Sequence, residues 1–578
     1  MSIRDYEFYL ASSLEKVFPA VRPAALPENT RLSAWRGTRA AVQLVYRADR
    51  AVPTVVRQAF RVEISGAPCD TLIRRVELLP SDFPVTTFPE NEGGMPDDNY
   101  ITTEPGYFPD LLRPSDNRIV PLPGQYRSLW LSWEIPASAA PGDYAVTVTV
   151  RAEDDPKNFN CIPAGECDLR GHRWELPLTL HVGAAALQPQ SLIHTEWFHA
   201  DCLASYYHVP MFGEEHWRIL ENFIRAAGKE HGINMLLTPV FTPPLDTAVG
   251  GQRPTTQLVD VMKNDGVYSF GFEKLRRWCE ICKRCGIEYI EVAHLFSQWG
   301  AVSVPKIMAA VDGTETRLFG WGTEATDPAY REFLQSFLPA LCAFLKAEGY
   351  DNRHVYFHIS DEPSMAQLES YRAAREMVAD LLEGYPIIDA LSSIEFYNQG
   401  LIEHPVPGND HIEAFVDAKV PDLWTYYCVA QCHLVPNRFY CMPSARNRIM
   451  GVLMYLYRIR GFLQWGYNFY YSQYSVRLID PYKETHAGYA FSSGDAYLVY
   501  PGENGEALSS IRAEVQDDAL LDLRMLQTLE SRIGEDAVRA LIRKLSHMER
   551  ITFKDYPRDP EFLLSLREAV ASELEKFN

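Results

Sequence analysis

The feature that most constrains the fold is a single change of periodicity near residue 185. From about residue 30 to 182, apolar and polar residues alternate in short runs. These are AVQLVYRA (41–48), QAFRVEIS (58–65), TLIRRVELL (71–79), RSLWLSWEI (127–135), YAVTVTVRA (144–152) and WELPLTLHV (174–182). Alternation with period two in β-branched and aromatic residues marks half-buried strands. Pro141-Gly142-Asp143 supplies a turn before the fifth run. Strands of this kind bury their apolar faces between two sheets, which predicts an antiparallel β-sandwich. The polar stretch from Asn91 to Pro123 reads as a long loop, and Gly183–Gln190 as a linker.

Beyond the linker, short apolar strands alternate with helical patterns, as in parallel sheets. The strand candidates are 191–197, 233–239, 288–294, 354–360, 386–392, 422–428, 438–442 and 461–467; the clearest helices are 216–232, 272–286 and 329–349. The last two end in glycine, as helix C-termini prefer. Eight strands in this order predict a (β/α)8 barrel of the TIM type, although the sixth-to-seventh connection is short for a helix. From about Glu506 the chain is helical and charged, which predicts appended C-terminal helices. The multidomain α/β expectation is therefore a β-sandwich over 1–187 and a barrel with its helices over 188–578.

Charge and cysteine usage narrow the partners. Lys and Arg number 55 against 76 Asp and Glu, a net charge of −21. Phosphate binding needs clustered basic residues, so nucleic acid and anionic lipid are not expected as partners. No run of 18 or more apolar residues predicts a membrane span. The N-terminus carries Arg4, Asp5, Glu7, Glu15 and Lys16, unlike the apolar core of a secretory signal. The eleven cysteines are scattered, which suits a reducing compartment. A cytoplasmic location follows as the expectation, and a homodimer as the commonest assembly.

Barrel active sites lie at the C-terminal ends of the strands. Those ends carry Glu196, Trp197, His199 and Asp201; His294, Phe296 and Trp299; Trp424, Tyr426 and Tyr427; and Trp465, Tyr467 and Asn468. Flat rings at so many ends suggest a cleft for sugars, whose C–H faces stack on aromatics while hydroxyls reach polar rims. Packing of the same rings in the core is the competing reading. The sharper signal is Asp361-Glu362, two adjacent carboxylates where the buried run HVYFHIS emerges. Neighbouring carboxylates push each other's pKa apart, so one stays protonated as an acid while its partner stays ionised. A conventional retaining glycosidase also needs a carboxylate nucleophile about 5 Å across the sugar. The ends of the sixth, seventh and eighth strand candidates carry none. That absence favours substrate-assisted catalysis, in which the sugar's own 2-acetamido oxygen attacks the anomeric carbon.

The runs YFHISDEPS, GFLQWGYNFYY, GDAYLVYPG and SSIRAEVQDD resemble glycoside hydrolase family 123, the β-N-acetylgalactosaminidase family and its relatives. The DNYITTEPGYFPDLLRP and WEIPASAAPGDYAVTVTV segments are similar to the same group, so the resemblance covers most of the chain. It implies a β-sandwich followed by a (β/α)8 barrel and a glycan or oligosaccharide substrate, with no metal or cofactor. It also implies Asp361 as the residue stabilising the acetamido group and Glu362 as general acid/base. By the same likeness Trp465 would lie under the terminal sugar, and Tyr426 or Tyr427 would bond the acetamido oxygen. His199, His294 and Asp201 would meet hydroxyls. The chain departs from the group at Gln516-Asp517-Asp518-Ala519-Leu520, where an Arg-Asp-Gly motif is expected, on a segment predicted to lie on an outer helix.

Two rival readings stay open. A sugar without the acetamido group would require a nucleophile, with Glu196, Glu395 or Glu324 as candidates. A carbohydrate-binding protein without turnover would use Asp361 and Glu362 only as hydrogen-bonding groups. Other motifs carry less. Cys279, Cys282 and Cys285 sit three apart inside a helical pattern and read as core. Cys161 and Cys167 bracket a loop and would pair only in an exported protein. Cys428, Cys432 and His433 lack zinc spacing. Glu90, Asn91, Glu92, Asp97 and Asp98 lack the spacing of a calcium loop and read as a solvated acidic loop.

Overall fold

The computed structural model describes residues 3–52, 58–90, 94–153, 169 and 171–577. The N-terminal part forms two five-stranded sheets. One runs Tyr6–Ser12, Arg39–Ala48, Arg127–Glu134, Thr71–Ser81, Gly106–Pro114, antiparallel throughout. The other runs Arg31–Trp35, Arg173–Gly183, Gly142–Ala152, Phe60–Ser65, Arg118–Ile119; only Arg31–Trp35 pairs in parallel. Val146, Val148 and Val150 point into the space between the sheets, where they meet Val42 and Leu44. Thr147 and Thr149 between them are half-buried on the other face. A one-residue slip would exchange these faces, so the alternation itself sets the register.

Gly106–Pro114 lies inside the stretch expected to be a loop. Its prolines conceal it, yet Phe108, Leu111 and Leu112 are buried. It forms the edge of its sheet, where a missing N–H is tolerated, and the register shifts between Glu77 and Leu78, opposite Pro109.

The second part contains a six-stranded, wholly parallel sheet in the order Val355–Tyr356, Tyr289–Val292, Met235–Thr238, Ile193–Glu196, Gly461–Gln464, Trp424–Tyr426. Ile388–Ala390 and His404–Val406 form a further parallel pair. Single parallel bridges, Phe357 to Ile387 and Gly408 to Tyr426, link that pair to the two ends of the larger sheet. The strand expected at 438–442 is instead a loop, and His404–Val406 is the strand missing from the expectation. The short connection before residue 438 thereby loses its difficulty, since it joins no pair of strands. Arg438 explains the loop: buried among strand ends, it bonds Glu196, Gln464 and the Gly466 carbonyl. A four-stranded sheet, Val267–Gly271, Asp260–Asn264, Ile307–Val311 and Thr314–Phe319, is also present and was not anticipated.

Helix signals hold at their ends. Asp327 accepts from the Ala329 N–H at 2.8 Å and caps Pro328–Ala347, with Pro328 at its first position. Gly286 closes Glu273–Cys285 at φ +84°. Cys279, Cys282 and Cys285 all face the core, and burial pushes the Cys279 thiol up to about 12.

Helices Ile511–Ile533, Glu535–Ser546 and Pro560–Glu575 end the chain. The first ties the two parts together: Arg512 pairs with Asp110 at 2.9 Å and Glu514 with Arg74 at 2.7 Å, all four buried. Asp97 and Asp98 are likewise engaged, by Arg446 and Arg558. Glu90 is exposed, and Asn91, Glu92, Cys161 and Cys167 lie outside the described residues. Among the described residues no helix is long and apolar enough to cross a membrane.

Candidate active site

Phe357, His358, Ile359 and Ser360 are fully buried, and the chain breaks into the open at Asp361 and Glu362, both half-buried. Glu362 adopts φ +43°, a left-handed conformation that costs a residue with a Cβ about 1–2 kcal/mol. Two backbone bonds hold it there: Glu362 N–H to the Ala390 carbonyl at 3.0 Å, and Trp299 N–H to the Asp361 carbonyl at 2.8 Å. Strain kept by its surroundings is a mark of functional sites.

The two carboxylates open onto a narrow cleft of about 100 Å³. Trp197, Trp465, Tyr426 and Phe491 give it aromatic walls, and Asp246, Gln298 and Trp299 also line it. Tyr426 Oη donates to Glu362 Oε1 at 2.6 Å, and the Cys428 thiol lies 3.8 Å from the same oxygen. Burial raises the Glu362 pKa against these two donors. Burial, then the charge of Glu362, raises Asp361 well above the usual carboxylate range, with the His358 imidazolium opposing. The pair therefore holds a proton near neutrality more readily than two isolated carboxylates would.

Beneath the pair lies a charged floor. His358 Nε2 is 2.6 Å from Glu291 Oε1 and its Nδ1 3.1 Å from Asp389 Oδ1. Burial disfavours the charged ring, but these carboxylates overcome it and lift the pKa to about 9. Glu291 also accepts from Trp197 Nε1 at 2.8 Å, and Asp389 from Tyr371 Oη at 2.6 Å. His294 stacks on His358 with ring centroids 4.2 Å apart and planes 16° apart. His294, His358 and Asp389 have ligand atoms close enough to share an ion. In-plane lone pairs on stacked rings do not converge on one point, however, and both His358 nitrogens are already engaged. The donor set does not fit a metal in this arrangement.

Several residues singled out in the sequence sit elsewhere. His199 lies behind Trp465, its Nε2 3.0 Å from the Trp465 carbonyl, and Asp201 forms a buried ion pair with Arg253 at 2.7 Å. Burial and Arg253 push His199 down to about 3, so it stays neutral. His294 is buried beneath Trp197. Tyr427 bonds Asn447, and Tyr467 bonds the Phe223 carbonyl. Trp424 is buried among the parallel strands, covering Gly461 so closely that an added Cβ would meet its ring at 2.1 Å. Glu196 points away from the cleft onto Arg438, while Glu324 and Glu395 are exposed and do not line it. Gln516, placed on an outer helix by its sequence, is buried and reaches Glu196 and His194.

Two groups were missed. Asp495 accepts from Trp465 Nε1 at 3.0 Å and is raised by burial to about 7. It lies within GDAYLVYPG, where a lone acid among apolar residues was the available signal. Asp246 is too far from any strand-end pattern to be seen locally.

Comparison with known proteins follows the same lines. Residues 197–529, more than half of the chain, match the family model described as "Glycoside hydrolase 123, catalytic domain". No curated protein matches the chain in sequence. Among solved structures, a family 123 glycoside hydrolase from Clostridium perfringens superposes with TM-score 0.71 at 15% identity, covering 99% of this chain and 98% of that one. A putative β-galactosidase from Bacteroides fragilis gives TM-score 0.31 at 10% identity, over 83% of this chain and 58% of that one. A GH2 β-galacturonidase from Eisenbergiella tayi gives 0.30 at 12%, over 89% and 73%.

Proposed function

Because the chain belongs to glycoside hydrolase family 123, we propose that it removes terminal β-linked N-acetylgalactosamine by substrate-assisted catalysis with retention. The observation that carries this reading is the inventory of cleft carboxylates. Among the described residues lining the cleft they are Asp361, Glu362 and Asp246. Asp246 accepts at Oδ2 from the Tyr474 N–H at 3.0 Å. Glu196, Glu324 and Glu395 are not among them. The bridges at Phe357–Ile387 and Gly408–Tyr426 support reading the eight parallel strands as a closed (β/α)8 barrel. The cleft then lies at the strands' C-terminal ends, where such barrels carry their chemistry.

In this mechanism the terminal sugar packs against Trp465, and Asp361 accepts a hydrogen bond from its acetamido N–H. That new donor favours ionised Asp361 and leaves the pair's proton on Glu362. The acetamido oxygen attacks the anomeric carbon as the glycosidic bond breaks, and Glu362 protonates the departing oxygen. The product of this step is an oxazolinium ion and a free acceptor alcohol. Glu362, now ionised, takes a proton from water, whose oxygen adds to the anomeric carbon and reopens the ring. Two inversions give retention.

Release of 4-nitrophenol from the matched β-N-acetylgalactosaminide, β-N-acetylglucosaminide and β-galactoside tests the reading. Turnover of the first alone is expected. Turnover of the galactoside would transfer the nucleophile's role to a carboxylate, with Asp246 the remaining one in the cleft. Glycan binding without turnover of any substrate would favour a binding protein.

A further inference from the structure

Lys16, Arg438, Ser444 and Arg512 line a small cavity of about 10 Å³, room for one atom-sized guest. The lining draws on both parts of the chain. Lys16 follows the first strand of the N-terminal sheets, Arg438 and Ser444 belong to the second part, and Arg512 lies on the helix that ties the two together. Three cations therefore surround this space, and among the described residues no carboxylate lines it. Two of the cations are already matched, Arg438 by Glu196 at 2.8 Å and Arg512 by Asp110 at 2.9 Å. Lys16 is not: its Nζ donates only to carbonyls, of Phe439 at 3.2 Å and Tyr440 at 2.8 Å. Burial pushes its ammonium down to about 8, with the charge of Asp110 opposing.

The polar atoms left without partners around the cavity can all donate. Arg438 is 1% accessible; Glu196, Gln464 and the Gly466 carbonyl take up its Nη atoms, while its buried Nε finds no hydrogen-bond partner. Ser444, 4% accessible, has a buried hydroxyl in the same condition. An ammonium carries three donors, so Lys16 has one to spare. Burying a donor without an acceptor is costly, and more so when the donor is charged. Water answers this poorly, because it must place two protons of its own among groups that are themselves donors. A monatomic anion accepts from all of them and balances the unmatched charge.

We propose that this cavity is a chloride site, in which one halide ion accepts from Lys16 Nζ, Arg438 Nε and Ser444 Oγ. The ion would tie the segment after the first strand to the loop that begins at Arg438. The cavity is too small for sulfate, phosphate or a carboxylate ligand, so size selects the ion as much as charge does. None of the three donors lines the cleft with Asp361 and Glu362. The consequence of binding is therefore stability, gained because the ion binds the folded chain and not the unfolded one.

The test is thermal unfolding of the wild type in chloride at constant ionic strength, with gluconate as the balancing anion. Above the dissociation constant, a hundredfold increase in chloride should raise the midpoint by about 2 °C in a chain of this length. Bromide should replace chloride, and sulfate should not. Lys16→Met keeps the stem and removes the charge, and should abolish the dependence; Ser444→Ala should weaken it. Wild-type crystals grown in bromide, which need no variant to fold, should show an anomalous peak between Lys16, Arg438 and Ser444. A midpoint that ignores chloride, or bromide crystals with no peak there, overturns the site. A chloride effect of full size in Lys16→Met places the ion elsewhere and overturns it as well.

Discussion

Tyr426 Oη donates a 2.6 Å hydrogen bond to Glu362 Oε1, joining the end of one parallel strand to the acid that follows another. A donor on a carboxylate favours its ionised form. Burial and the charge of Glu362 keep the phenol protonated, so the donor is permanent. In Tyr426→Phe the carboxyl loses that support and its pKa rises. The alkaline limb of the kcat/KM profile, where the acid loses its proton, should then move to higher pH by about one unit, roughly the worth of one charge-assisted hydrogen bond. An unmoved alkaline limb would detach Tyr426 from the titrating acid.

Glu362→Gln keeps the shape of the side chain and removes its proton. For an alcohol leaving group the loss should be about 10²–10⁴-fold in kcat. A dinitrophenyl leaving group departs without protonation and should suffer far less. Equal losses on both would mean that Glu362 is not the acid.

In the proposed mechanism Asp361 has a different duty and a different signature. Fluorine on the acetamido group weakens its oxygen as a nucleophile, so rates should fall steeply from acetyl to trifluoroacetyl in the wild type. Asp361→Asn loses the charge that orients the group and should slow the acetyl substrate about 10²–10³-fold, the range for removing one preorganised stabiliser of developing charge. A flat response to fluorination in the wild type would sink the substrate-assisted mechanism.

What could be read from residues alone tracks how local the determining forces are. Arg39–Ala48 and Gly142–Ala152 were legible because each buries one face, and the face is written in the alternation. His404–Val406 was hidden because three residues with a central proline carry no period. Arg438–Met442 has the composition of a strand, but its first residue is claimed by Glu196, 242 positions away. The carboxylate pair was visible since charge at the end of a buried run is costly unless used. His199 and Asp201 occupy the strand end from which ligands are expected, yet Arg253, 52 residues beyond Asp201, turns them inward. Partners so distant leave no local mark.

Glu196 separates the rival nucleophile from a structural carboxylate. Its oxygens lie 2.9 and 2.8 Å from Arg438 Nη1 with all groups buried; against the cost of burial, Arg438 and His194 hold its pKa down to about 2. Removing one partner of a buried pair typically costs about 3–5 kcal/mol. Glu196→Gln should therefore lower the urea midpoint markedly, while kcat/KM per folded molecule stays within about threefold. Loss of several orders of magnitude in a variant of normal stability would make Glu196 the nucleophile.

His358 predicts how stability varies with pH. Its folded pKa of about 9 lies above the ordinary 6.5, so its contribution is complete below pH 6.5 and is lost as pH rises through 9. The groups facing it are Glu291, Asp389, the stacked His294, the edge of Trp197 and the charge of Asp361. A shift of this size corresponds to about 3 kcal/mol, an upper value because the surrounding carboxylates titrate together. Asp495, raised to about 7, also loses protons in this window, and its sign is the same. The wild type alone therefore does not isolate the imidazole. Urea unfolding of wild type and His358→Gln at pH 6 and pH 9.5 does, because Asp495 is common to both. The free-energy gap between the two proteins should be wide at pH 6 and narrow by a few kcal/mol at pH 9.5. A gap independent of pH would mean that the ring is neutral throughout, and that Asp361 sits over no cation.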